Sequence, residues 1–187
     1  NSNSIAIIPS ASYGIETAAR NLSQSLQKDI VILENQFPSN VYPWLRLAKE
    51  KNVSVRAISN NNSDVTSSLL NSIDENCAVV SLPNVIWTTG QTIDLIKIRQ
   101  KCDIMNAALV LDLTQSAGAM PIDFNKVKPD FAVVANYKWM LGPYTTGFLY
   151  VDPKYHKGQP LENGWITRFN SNNFANLTSY TDRFQEG

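Results

Sequence analysis

The sequence of 187 residues is 43% hydrophobic and 17% charged, with sixteen basic and sixteen acidic residues, which is the composition of one globular domain. The balanced charge and the absence of Lys/Arg runs argue against a surface that binds nucleic acid or an anionic membrane. No apolar stretch reaches the roughly 18–20 residues of a membrane span, and no signal peptide is visible, so the sequence predicts a cytoplasmic protein.

Seven short apolar runs alternate with helix-length segments along the chain. The runs are mostly continuous, which is typical of strands buried on both faces of a sheet. Strands that alternate with helices predict an α/β domain with a mostly parallel sheet, and Ser39 and Ser63 are candidate N-caps. The predicted strands are residues 5–9, 30–33, 53–58, 77–83, 108–114, 131–137 and 147–152, and the predicted helices are residues 13–28, 39–52, 63–76 and 90–105.

The end of the chain departs from this alternation. Only about nine residues join the last two strands, whereas a parallel crossover takes about a dozen or more, so the last strand is expected to be antiparallel to its neighbour. The chain begins without Met and stops without a closing element, which indicates a piece of a longer protein. We expect residues 1–152 to form the core and residues 153–187 to be a loop or arm leading to a missing C-terminal domain.

The first strand leads into a helix through the small residues PSASYG, residues 9–14. In an open parallel sheet, ligands bind beyond the carboxyl ends of the strands. A helix N-terminus at that edge favours an anion such as phosphate, because its backbone N–H groups are free and its dipole is positive. Ser12 could contribute to such an anion site, or it could be a plain N-cap.

Two further strand ends carry ionisable residues. Asp112 follows the apolar run ALVL, and a carboxylate buried there needs a cationic partner or a hydrogen-bond donor, although Asp112 could also cap the next segment. Lys138 follows the sixth strand. A desolvated lysine amine is a nucleophile, whereas an ordinary lysine at this position would extend into solvent.

An anion site, a buried acid and an activated lysine at one edge of a sheet are the features that pyridoxal phosphate requires. Dinucleotide binding fits less well, because neither GxGxxG nor GxxxxGK[ST] occurs. We predict no metal site, since the sole histidine, His156, lies in a polar loop. Cys77 and Cys102 are too few for a disulfide framework and are expected to be free thiols.

The segment from Ala108 to Val151 carries the most specific motif. Asp112 opens the pattern D-x-x-Q/H-x-x-G, and Lys138 follows it after 26 residues, before a Gly-Pro turn. Together with the rest of residues 5–151, this segment resembles the class V aminotransferase family of fold-type I pyridoxal phosphate enzymes. That family includes cysteine desulfurases, selenocysteine lyases, kynureninases and isopenicillin N epimerase-like proteins. The resemblance implies a three-layer α/β/α large domain with a mostly parallel seven-stranded sheet whose last strand is antiparallel.

The resemblance gives the ionisable residues defined roles. Lys138 would bind the cofactor as a Schiff base, and Asp112 would pair with the pyridinium nitrogen. Gln115, about one turn further on, would reach the phenolic oxygen of the cofactor. The substrate amine would displace Lys138 by transaldimination, and the freed Lys138 would then transfer the proton.

Other positions matched to the family would hold the cofactor. Ala11, by its backbone N–H, and Ser12, by its hydroxyl, would bind the phosphate. Phe37 would stack on the cofactor ring in place of the histidine of the desulfurases, although it could equally be a core residue. Tyr137 replaces the histidine that precedes the desulfurase lysine, and Trp87 stands where desulfurases have an asparagine. Both of these residues are closer to the kynureninase pattern.

The resemblance implies the cofactor-binding core of an enzyme that acts on an amino acid, within a homodimer. The aromatic residues Trp165, Phe169, Phe174 and Tyr180 also favour an interface. An aminotransferase-like reaction comes first by family name. A lyase or desulfurase, a kynureninase-like hydrolase and an epimerase stay open, and so does a catalytically inert fragment. The substrate-carboxylate arginine would lie in the C-terminal domain. Because the walls that exclude water and a phosphate contact from the partner subunit would also lie beyond this chain, the chain alone is expected to bind the cofactor weakly or not at all.

Overall fold

The computed structural model describes residues 2–61, 63–165 and 171–173, and a seven-stranded sheet organises them. The strands are β1 (Ile5–Ile8), β2 (Asp29–Leu33), β3 (Val55–Ile58), β4 (Cys77–Pro83), β5 (Ala108–Asp112), β6 (Phe131–Ala135) and β7 (Gly147–Val151). The α-helices are α1 (Ala11–Leu22), α2 (Tyr42–Lys51), α3 (Val65–Ser72), α4 (Leu95–Met105) and α5 (Phe124–Val127). Short 3-10 helices span Ser2–Ser4, Pro38–Asn40, Pro153–Tyr155 and Ser171–Asn173.

The strand order in the sheet is β1-β7-β6-β5-β4-β2-β3. β7 is antiparallel to both of its neighbours, β1 and β6, and every other pair is parallel. The predicted antiparallel last strand is therefore confirmed. Because β1 and β6 both run opposite to β7, they run parallel to each other. The ends of β1, β4, β5 and β6 consequently meet at one edge of the sheet, which we call the carboxyl edge.

Helices cover both faces of the sheet, and the predicted three-layer α/β fold is confirmed. α1 and α2 pack on one face, and α3, α4 and α5 pack on the other. The continuous apolar runs supply side chains to both layers, since successive strand residues point to opposite faces. In β4, for example, Val79 belongs to the first layer and Val80 to the second, and both are buried. No helix in the described part of the chain is long and apolar enough to cross a lipid bilayer.

The structure corrects two predicted helix starts. Ser63 is not an N-cap. The N-cap of α3 is Asp64, whose carboxylate accepts a hydrogen bond from the Ser67 N–H at 2.9 Å. A carboxylate at that position also interacts favourably with the positive end of the helix dipole. Ser39 is not an N-cap either, because it lies in the 3-10 turn, and α2 starts only after Val41, with a proline in its first turn. Proline favours the first turn of a helix because it has no N–H to satisfy.

Some elements are shorter than predicted. α1 ends at Leu22 rather than at residue 28, and β6 ends at Ala135 rather than at residue 137. The chain leaves β6 at Asn136, whose side chain accepts a hydrogen bond from Thr146 across the β6–β7 connection. The four-residue helix α5 is not predicted by the sequence pattern, because one turn is too short to show a period.

α1 lies unusually close to β6 at Gly14. A Cβ atom built at Gly14 would lie 2.4 Å from Cγ1 of Val133 and 2.9 Å from Cδ1 of Ile8. Val133 is fully buried and Ile8 nearly so, so neither side chain can move aside without disturbing the core. This close approach fixes the start of α1 at the carboxyl edge.

We expect overpacking in Gly14→Ala to lower the free energy of unfolding by about 2–3 kcal/mol, the upper part of the usual range, because both neighbouring side chains are buried. The better helix propensity of alanine, about 1 kcal/mol, offsets only part of this loss. Denaturant unfolding measures the difference. Gly164→Ala is the control, because no atom of the described residues would lie within 4 Å of its Cβ, and it should change stability by less than about 0.5 kcal/mol. A Gly14→Ala protein as stable as the parent would contradict the close-packing argument.

Candidate active site

The loops at the carboxyl edge enclose a cavity of about 260 Å³. This volume is slightly below the range of about 300–1,000 Å³ that is usual for drug-sized ligands, so it suits a small ring. The cavity brings together seven of the eight residues that the sequence proposed for the site, namely Ala11, Phe37, Trp87, Asp112, Gln115, Tyr137 and Lys138. The eighth, Ser12, lines an adjoining groove, and its Oγ lies 3.0 Å from Oγ of Ser10, which lines the cavity.

Asp112 is the last residue of β5 and is buried in the wall of this cavity. Its Oδ1 accepts the backbone N–H of Thr114 at 3.0 Å. Burial raises the pKa of the Asp112 carboxyl, and this effect outweighs the hydrogen bonds from Thr114 and the positive charge of Lys138, which act in the opposite direction. The site therefore favours a ligand that brings a proton or a positive charge to Asp112.

The connection between β6 and β7 holds Lys138 through Asn136. The Asn136 carbonyl accepts the Gly142 N–H at 2.9 Å, and its side-chain Oδ1 accepts the Thr146 hydroxyl at 2.8 Å. Gly142 passes so close to the Asn136 amide that a Cβ atom there would lie 2.5 Å from its Cγ. The loop is thus closed on itself, and Lys138 lies half-buried beside the cavity.

Two aromatic residues, Phe37 and Trp87, also line the cavity. The rings of Phe37 and Trp87 meet edge to face, with centroids 5.8 Å apart and planes at 88°. The Trp87 indole Nε1–H donates to the Asn35 carbonyl at 2.8 Å, which joins the loop after β4 to the loop after β2. The amine of Lys138 lies 5.8 Å from the centroid of the Phe37 ring. Phe37 is 40% exposed, so it is not the buried core residue that the alternative interpretation allows.

The start of α1 borders the same cavity. Ser10 is the N-cap of α1, and its hydroxyl accepts the Tyr13 N–H at 3.2 Å, so Ser12 is not the N-cap. The first N–H groups of any helix have no partner within the helix. At Ala11, the first residue of α1 and a residue of the cavity wall, this end of the helix dipole favours an anionic group.

The two cysteines lie away from this edge, in the core layer beneath α3 and α4. Both are free and buried, as expected for plain thiols. Burial raises the pKa of Cys77 to about 11 and that of Cys102 to about 12. Because the thiolate is the reactive form, neither cysteine is suited to be a nucleophile.

Several polar residues of the cavity wall were not proposed from the sequence. Thr114 accepts the Ala135 N–H through Oγ1 at 3.0 Å and so ties the end of β5 to the end of β6. Gln36 and Asn40 also line the cavity, and they flank residues 37–39, the tip of the loop after β2 that carries Phe37. In the sequence, only their closeness to Phe37 in the segment ENQFPSN could have pointed to the site. Polar residues are otherwise common in loops and do not indicate a role.

The model of the family called Aminotransferase class-V matches residues 1–187, the whole chain. The chain belongs to the class V aminotransferase family. The predicted family, with its pyridoxal phosphate cofactor, is therefore confirmed at the level of the family.

Two curated relatives show the breadth of that family. The chain is 29% identical over 151 residues to a probable cysteine desulfurase of Methanothermobacter thermautotrophicus, an alignment that covers 80% of this chain and 38% of the relative. It is 26% identical over 157 residues to a kynureninase of Bacillus cereus, with 77% of this chain and 35% of the relative covered. The aligned region thus spans little more than a third of each relative.

Solved structures show the same fold. A variant of C-DES with glycine covalently linked to its PLP cofactor superimposes with a TM-score of 0.86 at 21% identity, over 100% of this chain and 50% of that chain. An apo cysteine desulfurase from Thermococcus onnurineus superimposes with a TM-score of 0.75 at 22% identity, over 83% of this chain and 40% of that one. At these identities the likeness establishes the fold.

We expect Asp112→Asn to stabilise the cofactor-free protein at pH 7. The raised pKa of Asp112 means that the folded protein holds this proton more tightly than the unfolded chain does. The carboxyl of the unfolded chain loses its proton near pH 4, whereas that of the folded protein loses it at a higher pH. The free energy of unfolding therefore falls as the pH rises from about 4 through the pKa of the folded state. The gain from the asparagine should accordingly be largest at neutral pH and should shrink towards pH 4.

Denaturant unfolding at several pH values measures this dependence. Asp94→Asn is the control, because hydrogen bonding to the Lys97 N–H lowers the pKa of Asp94. Asp94 stabilises the fold above the ordinary aspartate range, so its replacement should give no gain at pH 7. An Asp112→Asn protein that is less stable than the parent at pH 7 would show that the carboxylate is well compensated in the fold.

Proposed function

We propose that this chain is the cofactor-binding core of a pyridoxal phosphate enzyme that acts on an amino acid. The observation that carries the proposal is the shared cavity of Asp112 and Lys138, in which a buried carboxyl of raised pKa and a half-buried amine face one small space. A protonated pyridine nitrogen would suit such a carboxyl, because it brings a hydrogen-bond donor and a positive charge that favour the ionised form. An aldehyde suits the amine, which can attack it as a nucleophile.

The residues fit the cofactor at three further points. Ala11 at the start of α1 would hold the phosphate by its backbone N–H, with Ser10 and Ser12 close by. The ring of Phe37 would cover one face of the cofactor, as aromatic stacking favours. Gln115 and Tyr137, which also line the cavity, would supply polar groups to the cofactor's oxygens, and Trp87 would hold the Phe37 ring from its edge.

When bound, the cofactor would supply an electron sink for negative charge that develops at the substrate Cα. Asp112 would keep that sink effective by holding a proton on the ring nitrogen. Lys138 would hold the cofactor until the substrate amine takes its place, and its freed amine would then take up or deliver a proton at Cα. Asn136 contributes by closing the loop that carries Lys138.

An aminotransferase-like reaction is the first candidate for the whole protein. A second candidate is a lyase or hydrolase that cleaves a bond in the substrate side chain. The names of the two curated relatives, cysteine desulfurase and kynureninase, favour it. Neither cysteine of this chain could assist such a cleavage, because both are buried with raised pKa values.

Lys138 is predicted to be the lysine that binds the cofactor covalently. Borohydride reduction of the cofactor-loaded, full-length protein, followed by peptide mapping, should place the pyridoxyl label on the peptide that contains Lys138. The label should disappear in Lys138→Arg, which retains the charge but cannot form the bond. The label should persist in Lys154→Arg, because Lys154 lies away from the cavity. Lys154 forms an ion pair with Asp130, and Asp130 accepts a hydrogen bond from Leu109 near the start of β5. A label on another lysine would reject the assignment.

We further propose that the protein is a homodimer that covers the mouth of this cavity. The β6–β7 connection presents Trp139, Met140, Leu141 and Tyr144 to solvent, and Leu141 is 89% exposed. Exposed apolar groups of this size mark interfaces. Trp165 is also exposed, whereas Phe169, Phe174 and Tyr180 lie outside the described residues.

Leu141→Glu should therefore shift the full-length protein from dimer to monomer in sedimentation velocity, because it places a charge in the interface. Ile104→Glu should leave the dimer intact. Ile104 is 75% exposed but lies on α4, away from the cavity mouth. A parent protein that is monomeric and binds the cofactor stably would disprove the dimer.

A further inference from the structure

A cluster of buried polar side chains lies directly beneath the tip that carries Phe37. It consists of Gln36, Asn40, Trp44 and Ser81, and we call it the polar clip. Asn40 is its centre. The Asn40 Oδ1 accepts the Ser81 hydroxyl at 2.6 Å and the Trp44 indole N–H at 3.3 Å, and the Asn40 Nδ2 donates to Gln36 Oε1 at 2.9 Å.

The polar clip closes the tip on itself. Gln36 Nε2 donates back to the Asn40 carbonyl at 3.1 Å and reaches the Ser81 carbonyl at 3.5 Å. Gln36 and Asn40 therefore bind each other across the three residues between them, one of which is Phe37. Since Ser81 belongs to β4, the polar clip also fastens the tip to the sheet.

Burial makes the loss of any hydrogen bond in the polar clip costly in free energy. Ser81 and Trp44 are completely buried, and Asn40 is 1% exposed. Polar groups at such positions are costly unless every one is hydrogen-bonded, and a fully bonded network fixes one arrangement of the chain. The polar clip therefore sets a single conformation for the tip of the loop.

Phe37 itself cannot set that conformation, because its side chain is 40% exposed. Its place depends on its backbone, and the Phe37 carbonyl accepts the Asn40 N–H at 2.9 Å. Trp87 restrains the ring only from its edge. Asn40 thus holds Phe37 through the backbone, while its own side chain is anchored to β4 and α2.

We propose that Asn40 is a positioning residue that fixes the plane of the Phe37 ring for stacking on the bound cofactor. The inference rests on the function proposed above. Without Asn40, the Gln36 and Ser81 side chains lose their partners and the tip can relax. The ring of Phe37 then covers the cofactor for only part of the time, and affinity falls through Phe37 rather than through any direct contact of Asn40.

A double-mutant cycle on cofactor affinity tests this dependence. Pyridoxal phosphate is titrated into the cofactor-free, full-length protein, and binding is followed by absorbance, for the parent, Phe37→Ala, Asn40→Ala and the double variant. Phe37→Ala should weaken binding roughly two- to twelvefold, the factor expected for one aromatic stacking contact. Asn40→Ala should weaken binding by a similar factor in the parent but by less than about twofold when Phe37 is already alanine.

A milder variant and a matched control accompany the cycle. Ser81→Ala removes only one hydrogen bond to Asn40, so it serves if Asn40→Ala does not fold, and it should show the same dependence on Phe37. Ser116→Ala removes an equivalent buried bond, from the Ser116 hydroxyl to Asn84 Oδ1 at 2.7 Å. Any weakening that it causes should be equal in both backgrounds, because Ser116 is not part of the polar clip.

The outcomes separate the two proposals. Equal weakening by Asn40→Ala with and without Phe37, or unchanged affinity in Phe37→Ala, would overturn the positioning role while leaving the cofactor proposal intact. A parent protein that does not bind pyridoxal phosphate would overturn the proposed function, and the positioning role with it. Loss of the Asn40 effect in the Phe37→Ala background supports the inference, because a merely structural loss of stability would weaken both backgrounds alike.

Discussion

The carboxyl group of Asp112 stands at the end of a strand that is buried on both faces, where burial raises its pKa. Thr114 donates hydrogen bonds to this carboxyl, yet burial still keeps its pKa raised, so a positive charge beside it would stabilise its ionised form. Three neighbouring elements meet at this carboxyl. Thr114 ties β5 to β6, the β6–β7 connection brings Lys138 to the same cavity, and the start of α1 offers a favourable place for an anion. The proposed cofactor would meet all three needs at once, with its nitrogen, its aldehyde and its phosphate.

The fold follows from the sequence where the pattern is long and local. The run from Cys77 to Pro83 is a strand with the predicted bounds, because an apolar run interrupted only by Ser81 is typical of a strand in a sheet that is covered on both faces. The antiparallel β7 follows from the short link before it. Helix starts are less predictable, since Ser63 and Asp64 are adjacent acceptors and the choice between them depends on local geometry. α5 is invisible in the pattern because it is a single turn.

The site was predictable to the extent that it depends on strand ends. Asp112 and Lys138 could be paired because parallel strands end at one edge, and the family resemblance then located Phe37 and Gln115. The polar clip could not be found in the same way, because Gln36 and Ser81 are 45 positions apart in the sequence and become partners only when β2 and β4 are neighbours. The same holds for Thr114, whose role depends on the adjacent strand. Hydrogen bonds between distant segments are set by the sheet order, which a single sequence does not state.

The residues around the cavity differ in what holds them. Asp112 is part of a strand, and Ala11 is the first residue of a helix packed tightly on the sheet through Gly14. Phe37, Trp87 and Lys138 belong to loops, each closed by its own side-chain hydrogen bonds. Loops of this kind can change in length and composition without disturbing the strands beneath them. Of the residues proposed to hold the cofactor, Asp112 and Ala11 therefore take their places from the strands and the first helix, whereas Phe37 and Lys138 depend on loops that can be exchanged. The same framework of strands can thus carry different loops, which agrees with relatives as differently named as a probable cysteine desulfurase and a kynureninase.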